Sequence, residues 1–304
     1  MEISPDELHQ AIQQRVDLLS QSNNLRTDEY PHFISSSGQT TDPEFETRIE
    51  EVPEDLSRFI SHLVRVVRLR EVRAINGFTR IHPPDPNDET PTLMAPLYDK
   101  KKSWLPAIEV RGEGIFLELE ADAVGSWSTT PAVAERATQI NAAYQTVYLQ
   151  RYKKEPQRQI SPAYLLLHTL AHALIRQLSL ECGYSTSSLR ERLYSDTEEK
   201  MCGVLIYTAS PDCDGTLGGL TRQGTADRMG AILPSAIRAI QWCSSDPLCI
   251  EGVATLSEAC NIAACHACML IPETSCEEFN TLLDRALLVG TPKNKTVGFF
   301  SSLL

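Results

Sequence analysis

Between Trp242 and Glu277 the sequence crowds six of its nine cysteines, and that crowding restricts what the chain can become more than any other feature. The window opens on Trp242-Cys243-Ser244-Ser245-Asp246-Pro247-Leu248-Cys249. It continues through Cys260 to Ala264-Cys265-His266-Ala267-Cys268 and closes on Glu273-Thr274-Ser275-Cys276-Glu277. A Cys-x5-Cys pair and a Cys-x2-Cys pair stand fifteen residues apart. Zinc takes four thiolates in a tetrahedron, and a two-residue gap lets two sulfurs of one turn converge on the ion without strain. The competing reading is a set of free cysteines packed as small apolar side chains. The neighbours here are Ser, Asp, Pro and His rather than an apolar run, which favours two half-sites of one zinc centre.

The rest of the composition bounds the setting. At 304 residues the chain is long enough for two domains or one large one. No run of eighteen apolar residues and no basic-then-apolar leader occurs, so a soluble, cytoplasmic protein with no membrane contact is expected. An odd number of cysteines at metal-like spacing suits a reducing compartment. The formal charge of −12 argues against a surface that coats nucleic acid through its overall field. Contact with DNA then requires a local basic patch or a partner. Arg65, Arg68, Arg70, Arg73 and Arg80 are the candidates for such a patch, with Arg151-Tyr152-Lys153-Lys154 as a second basic segment.

Periodicity divides the chain into an acidic, partly flexible segment over 1–60, a small α+β region over 61–155 and a zinc-binding domain over 156–304. Helices are expected over Asp6–Leu19, Glu54–Leu69, Pro131–Tyr152, Ala163–Leu180, Ser185–Leu193 and Ser235–Gln241, with a last one beginning at Thr274 or Ser275 and ending at Gly290. Ser20–Asp42 reads as a loop. Strands are expected at Gly77–Ile81, Ile108–Val110, Ile115–Leu119 and Gly203–Thr208, with Gly112 and Gly114 turning the second into the third. Ala163–Leu180 is the strongest element, with Ser161 as N-cap, Pro162 at the first position and Gly183 at the exit. The fold class is therefore α/β: mixed helices and short strands with a C-terminal four-cysteine zinc-binding lobe.

His168, His172 and Arg176 recur at one-turn spacing on that helix, on what the pattern presents as its polar side. Two histidines four apart can bind metal, but Thr169 stands where a zincin would carry its glutamate base. A stripe that docks another segment, for example a Glu191-Arg192 helix, is the structural reading. A second metal site, or a metal-dependent hydrolase using His168 and His172, is the chemical one. The loop Asp212–Gly219 lacks the Gly-Lys-Ser/Thr of a nucleotide P-loop, and no nucleophile elbow is present.

Several stretches together resemble the MZB domain, the MrfA-type zinc-binding domain. They are Leu165-Leu166-Leu167-His168-Thr169-Leu170-Ala171-His172, Gly203–Thr208, Gly218-Gly219 and Ala264–Cys268. Leu69–Arg73, Gly77–Arg80, Trp104–Glu109, Gly112–Phe116, Cys182–Ser185, Trp242–Cys249 and Glu273–Glu277 are similar, more narrowly, to the DrmB family of the bacterial DISARM anti-phage system. The resemblance runs from about residue 65 to 290. It implies a non-catalytic zinc module that works on DNA beside a helicase-like ATPase of the DrmA type. It places the Zn2+ thiolates on Cys243, Cys249, Cys265 and Cys268, with Cys276 and Cys260 as alternate ligands.

Overall fold

The computed structural model describes residues 25–35, 43–80, 94–99, 102–208, 218–252 and 260–304. The expected helix over Asp6–Leu19 and most of the Asp212–Gly219 loop lie outside them. Among the described residues there are five strands: β1 (Glu46–Glu50), β2 (Ile60–Ala74), β3 (Ala107–Leu119), β4 (Leu189–Asp196) and β5 (Met201–Thr208). They form one antiparallel sheet in the order β1-β2-β3-β5-β4. The helices are α1 (Leu25–Ile34), α2 (Ala121–Ser128), α3 (Pro131–Tyr152), α4 (Pro162–Cys182), α5 (Gly219–Gln223), α6 (Ala226–Ala239) and α7 (Ala286–Val289). Mixed helices, an antiparallel sheet and a C-terminal cysteine cluster thus match the expected fold class. The sheet takes strands from all three stretches into which the pattern divides the chain.

Helix α4 organises the packing. Ser161 caps it, its hydroxyl accepting the Tyr164 N–H at 3.1 Å, and Gly183 leaves it at φ 71°, the left-handed region that glycine enters without a Cβ penalty. Every residue from Leu165 to Ile175 is buried. No polar side faces water over that stretch, so the His168 and His172 stripe lies inside the protein. One face of the sheet, through Leu63, Ile115, Leu117, Leu193, Val204 and Ile206, packs against α4 and α5. The other face carries Val64, Phe116, Tyr194 and Leu205 against Tyr30 and Phe33 of α1. Phe33 stacks on Phe116 with ring centroids 4.6 Å apart.

This two-sided burial explains the elements that differ from expectation. Residues 60–69 form the start of β2, not a helix, because a strand covered on both faces is apolar throughout and mimics helical spacing. Ala107–Leu119 is one continuous strand rather than two joined by a turn. Gly114 answers a packing need instead: a Cβ there would lie 2.9 Å from the Ile206 carbonyl oxygen of β5. Ser185–Leu193 is a short 3-10 turn followed by β4, in which Leu189, Glu191 and Leu193 are all buried. The expected loop over Ser20–Asp42 contains α1. Around Gly77–Ile81 the described residues show a bridge between Phe78 and Ala95.

Glu113 on β3 ties the sheet to the entrance of α5. It is 1% exposed and accepts the N–H groups of Gly218 at 2.6 Å and Leu220 at 2.7 Å and the Thr221 hydroxyl at 2.6 Å. Removing the carboxylate strands buried donors, each a substantial loss. Glu113→Ala is therefore expected to lower stability by about 3 kcal/mol in urea unfolding, whereas Glu109→Ala on the exposed end of the same strand leaves the midpoint unchanged.

Candidate metal centres

After α6 the chain has little regular structure. Gln241–Leu304 carries α7 and three short 3-10 turns among its described residues. The expected final helix from Thr274 is absent. Glu273–Ser275 is a single 3-10 turn, and Phe279, Asn280 and Leu282 have φ of 51°, 62° and 61°. Side chains satisfy this backbone in place of a helical ladder. Asn280 exchanges two hydrogen bonds with Ile271, at 3.0 and 2.7 Å, and Asn261 accepts the Leu283 N–H at 2.7 Å.

Within this lobe the sulfurs of Cys243, Cys249, Cys265 and Cys268 lie within 4.8 Å of one another. Cys243 is 3.4 Å from Cys265, Cys249 is 3.7 Å from Cys268, and Cys265 is 3.8 Å from Cys268. A tetrahedron of thiolates around zinc has edges of roughly 3.8 Å, so the spacing and the all-sulfur donor set fit the ion. The Ser245 N–H points at the Cys243 sulfur at 3.4 Å, as a donor to a thiolate does. The hydrogen bond with Cys268 and the nearby Arg285 guanidinium pull the Cys249 thiol down to about 5.

Two arginines hold the cysteine-bearing turns in place. Arg285 is wholly buried; it donates to the Ile240 carbonyl at 2.9 Å and the Gln241 carbonyl at 3.2 Å and pairs with Asp246. Asp246 accepts the N–H groups of Cys243 at 2.9 Å and Ile250 at 3.1 Å. The first turn is thus fixed by one carboxylate and one guanidinium. Arg176 of α4 fixes the second, donating to the carbonyls of Ala267 at 3.1 Å and Leu270 at 3.4 Å.

The alternate ligands leave this centre. Cys260 is buried elsewhere and joins neither group of metal-type donors. Cys276 joins a second group with His168, His172 and Glu191, whose donor atoms also lie within 4.8 Å of one another. Its sulfur is 3.2 Å from His168 Nε2 and 3.3 Å from His172 Nε2. Glu191 lies 3.2 Å from His168 Nε2 through Oε1 and 3.7 Å from His172 Nε2 through Oε2. The segment that meets the histidine stripe is therefore the one containing Glu191, but as strand β4. Burial pushes the His172 imidazole down to about 4, and the adjacent His168 adds to that shift. Burial opposes charge on His168 too, but Glu191 and Cys276 outweigh it and drive that ring upward.

The arginines proposed for phosphate contact lie on β2 and just beyond it. Arg65 donates to Glu50 at 2.6 Å, Arg68 to the Pro43 carbonyl at 2.5 Å and Arg73 to Glu71 at 2.7 Å. Arg70 and Arg80 are exposed. Sequence reasoning missed Asp246, Arg285 and the partnership of Glu191 with Cys276. Asp246 sits inside a cysteine turn, where a carboxylate suited to capping backbone N–H groups was visible. Nothing local marks Arg285.

Residues 170–269 match the family model of the MZB domain, the MrfA Zn-binding domain. A protein carrying that module binds Zn2+, and the four-cysteine group stands ready for it. Beyond the module, the chain is 36% identical over 287 residues, 93% of its length, to the DISARM protein DrmB of Bacillus paralicheniformis. The chain is thus similar to a DrmB protein over most of its own length and to the MZB domain over residues 170–269. It spans 50% of the length of that relative. Among the described residues no helix is long and apolar enough to cross a membrane.

The Asp246–Arg285 pair offers a direct check on what shapes the first centre. Removing one partner of a buried ion pair leaves the other uncompensated. Arg285→Ala is expected to cost about 3 kcal/mol and to speed zinc loss to a colorimetric chelator. Lys293→Ala, which breaks only an exposed pair with Glu251, changes neither.

Proposed function

We propose that the chain is a non-catalytic, zinc-pinned subunit of a DISARM-type anti-phage defence complex, acting on DNA beside a helicase-like ATPase. Identity to a DISARM protein through 93% of the chain, rather than in the cysteine window alone, carries the proposal. Cys243, Cys249, Cys265 and Cys268 hold the ion. Four thiolates fill a tetrahedral shell and leave no position for a reactive water, so the metal is structural. Its task is to fix the surface of the C-terminal lobe.

The charge distribution supports a division of labour with the partner. At −12 the chain repels phosphate overall, and Arg65, Arg68 and Arg73 are engaged with acceptors of their own. DNA affinity therefore resides mainly in the ATPase, with Arg70 and Arg80 as the contacts this chain adds. The rival reading, a hydrolase built on His168 and His172, meets an obstacle in their complete burial. A hydrolytic metal needs an open coordination position that substrate and water reach.

Co-purification with a helicase-like ATPase of the DISARM system tests the assembly. A stable complex is expected, and a chain that elutes alone under all conditions contradicts it. Gel shifts with single- and double-stranded DNA at two salt concentrations test the division of labour: the complex binds and weakens steeply with salt, while the isolated chain binds at least tenfold more weakly. Cys265→Ser or Cys268→Ser is expected to abolish zinc at this centre, unfold the lobe and abolish defence. Retention of metal and fold in both variants overturns the assignment of the ligands.

A further inference from the structure

We propose that His168, His172, Glu191 and Cys276 form a second, structural zinc centre, separate from the four-cysteine centre. Three distant pieces of chain supply it: two turns of α4, the middle of β4 and the first residue after the Glu273–Ser275 turn. The exposures are 0% for both histidines, 3% for Glu191 and 7% for Cys276.

Proton bookkeeping distinguishes a metal site from an ordinary buried polar network. His168 Nδ1 lies 3.3 Å from the Leu282 carbonyl and His172 Nδ1 lies 2.9 Å from the Met269 carbonyl. A carbonyl only accepts, so both Nδ1 atoms carry hydrogen. With both rings neutral, both Nε2 atoms are bare lone pairs converging on a carboxylate, which only accepts, and a thiol with one weak S–H; charging His168 alone gives its Nε2 a proton for Glu191 but still leaves Glu191 Oε2 without a donor. Protonating both rings would place two imidazolium ions in the interior with centroids 4.7 Å apart, a costly arrangement. A cation at the point of convergence removes the conflict, since every group there then donates a lone pair.

The surroundings match what such a ligand set requires. An Nδ1–H donated to a backbone carbonyl is the usual outer contact of a metal-bound histidine, fixing its tautomer and ring orientation. The Cys276 sulfur accepts the N–H groups of Glu278 at 3.3 Å and Asn280 at 3.2 Å, which stabilises a thiolate. Glu191 Oε1 accepts the Glu277 N–H at 2.9 Å, whereas its Oε2 is buried and has no hydrogen-bond partner. Buried carboxylate oxygens are rarely left so, and a bound ion supplies what that oxygen lacks. Two imidazoles, one carboxylate and one thiolate suit tetrahedral zinc. With four protein donors and no access, the centre is structural, and it welds α4 and β4 to the C-terminal lobe.

Elemental analysis of the full chain as purified, with X-ray absorption at the zinc edge, tests the proposal without any variant. Roughly two zinc ions per chain are expected, with a mean shell of about 2.5 sulfurs, the rest being nitrogen and oxygen. One zinc per chain with an all-sulfur shell overturns it. Cys276→Ser is expected to halve the zinc and leave the remaining ion all-sulfur. That result separates this centre from the four-cysteine one even if the DISARM reading fails. Should Cys276→Ser not fold, the count and shell of the native protein still decide.

Discussion

The convergence of four cysteine sulfurs is the interaction on which the C-terminal lobe depends. From Gln241 onward the described residues contain one four-residue helix and three 3-10 turns. A lobe so poor in regular hydrogen bonding gains little from local structure. Its backbone groups are met one at a time by Asn261, Asn280, Asp246 and Arg285. Such contacts specify a shape but contribute modestly to its stability, since each net hydrogen bond is worth about 1 kcal/mol. Metal binding to a thiolate set that exists only in the folded chain adds directly to folding free energy.

The lobe is also joined to the main core by short, directed contacts from α4. Arg176 holds the carbonyls of Ala267 and Leu270, and His172 Nδ1 meets the carbonyl of Met269. The Cys265–Cys268 turn therefore rests on the same helix that presents His168 and His172. A displacement of that turn is felt at both donor clusters, because one rigid, fully packed element carries the contacts to each. Strand β4 closes the arrangement from the other side through Glu191 and the Glu277 N–H. The logic is mechanical: sheet, helix and lobe meet where the metal-type donors are.

Much of this was legible in the sequence where one local rule dominated. Ser161, Pro162 and Gly183 bounded α4, because capping chemistry is local. Pro131–Tyr152 was readable as α3 because Ala137, Ile140 and Tyr148 recur at helical spacing, and all three are buried. The two cysteine pairs were readable because metal geometry limits spacing. Legibility failed where burial on both sides erased alternation, as in β2, and where Arg190-Glu191-Arg192 favoured helix but pairing with β5 made a strand. It failed again after Thr274, where Phe279, Leu282, Leu283 and Leu287 had helical spacing. There the Cys276 sulfur and the Asn280 side chain took the hydrogen bonds a helix would have used. Cys276 was read as a spare ligand for the four-cysteine centre, since sequence distance gives no hint that it faces α4 instead.

Hydrogen exchange of the full chain, with and without a strong zinc chelator, tests most directly whether bound metal holds the lobe in its fold. The amides of Cys243–Gly252 and Cys265–Gly290 are expected to lose their protection when the chelator is present, while those of β2 and β3 keep theirs. Unchanged protection in the lobe after complete removal of metal would contradict the account.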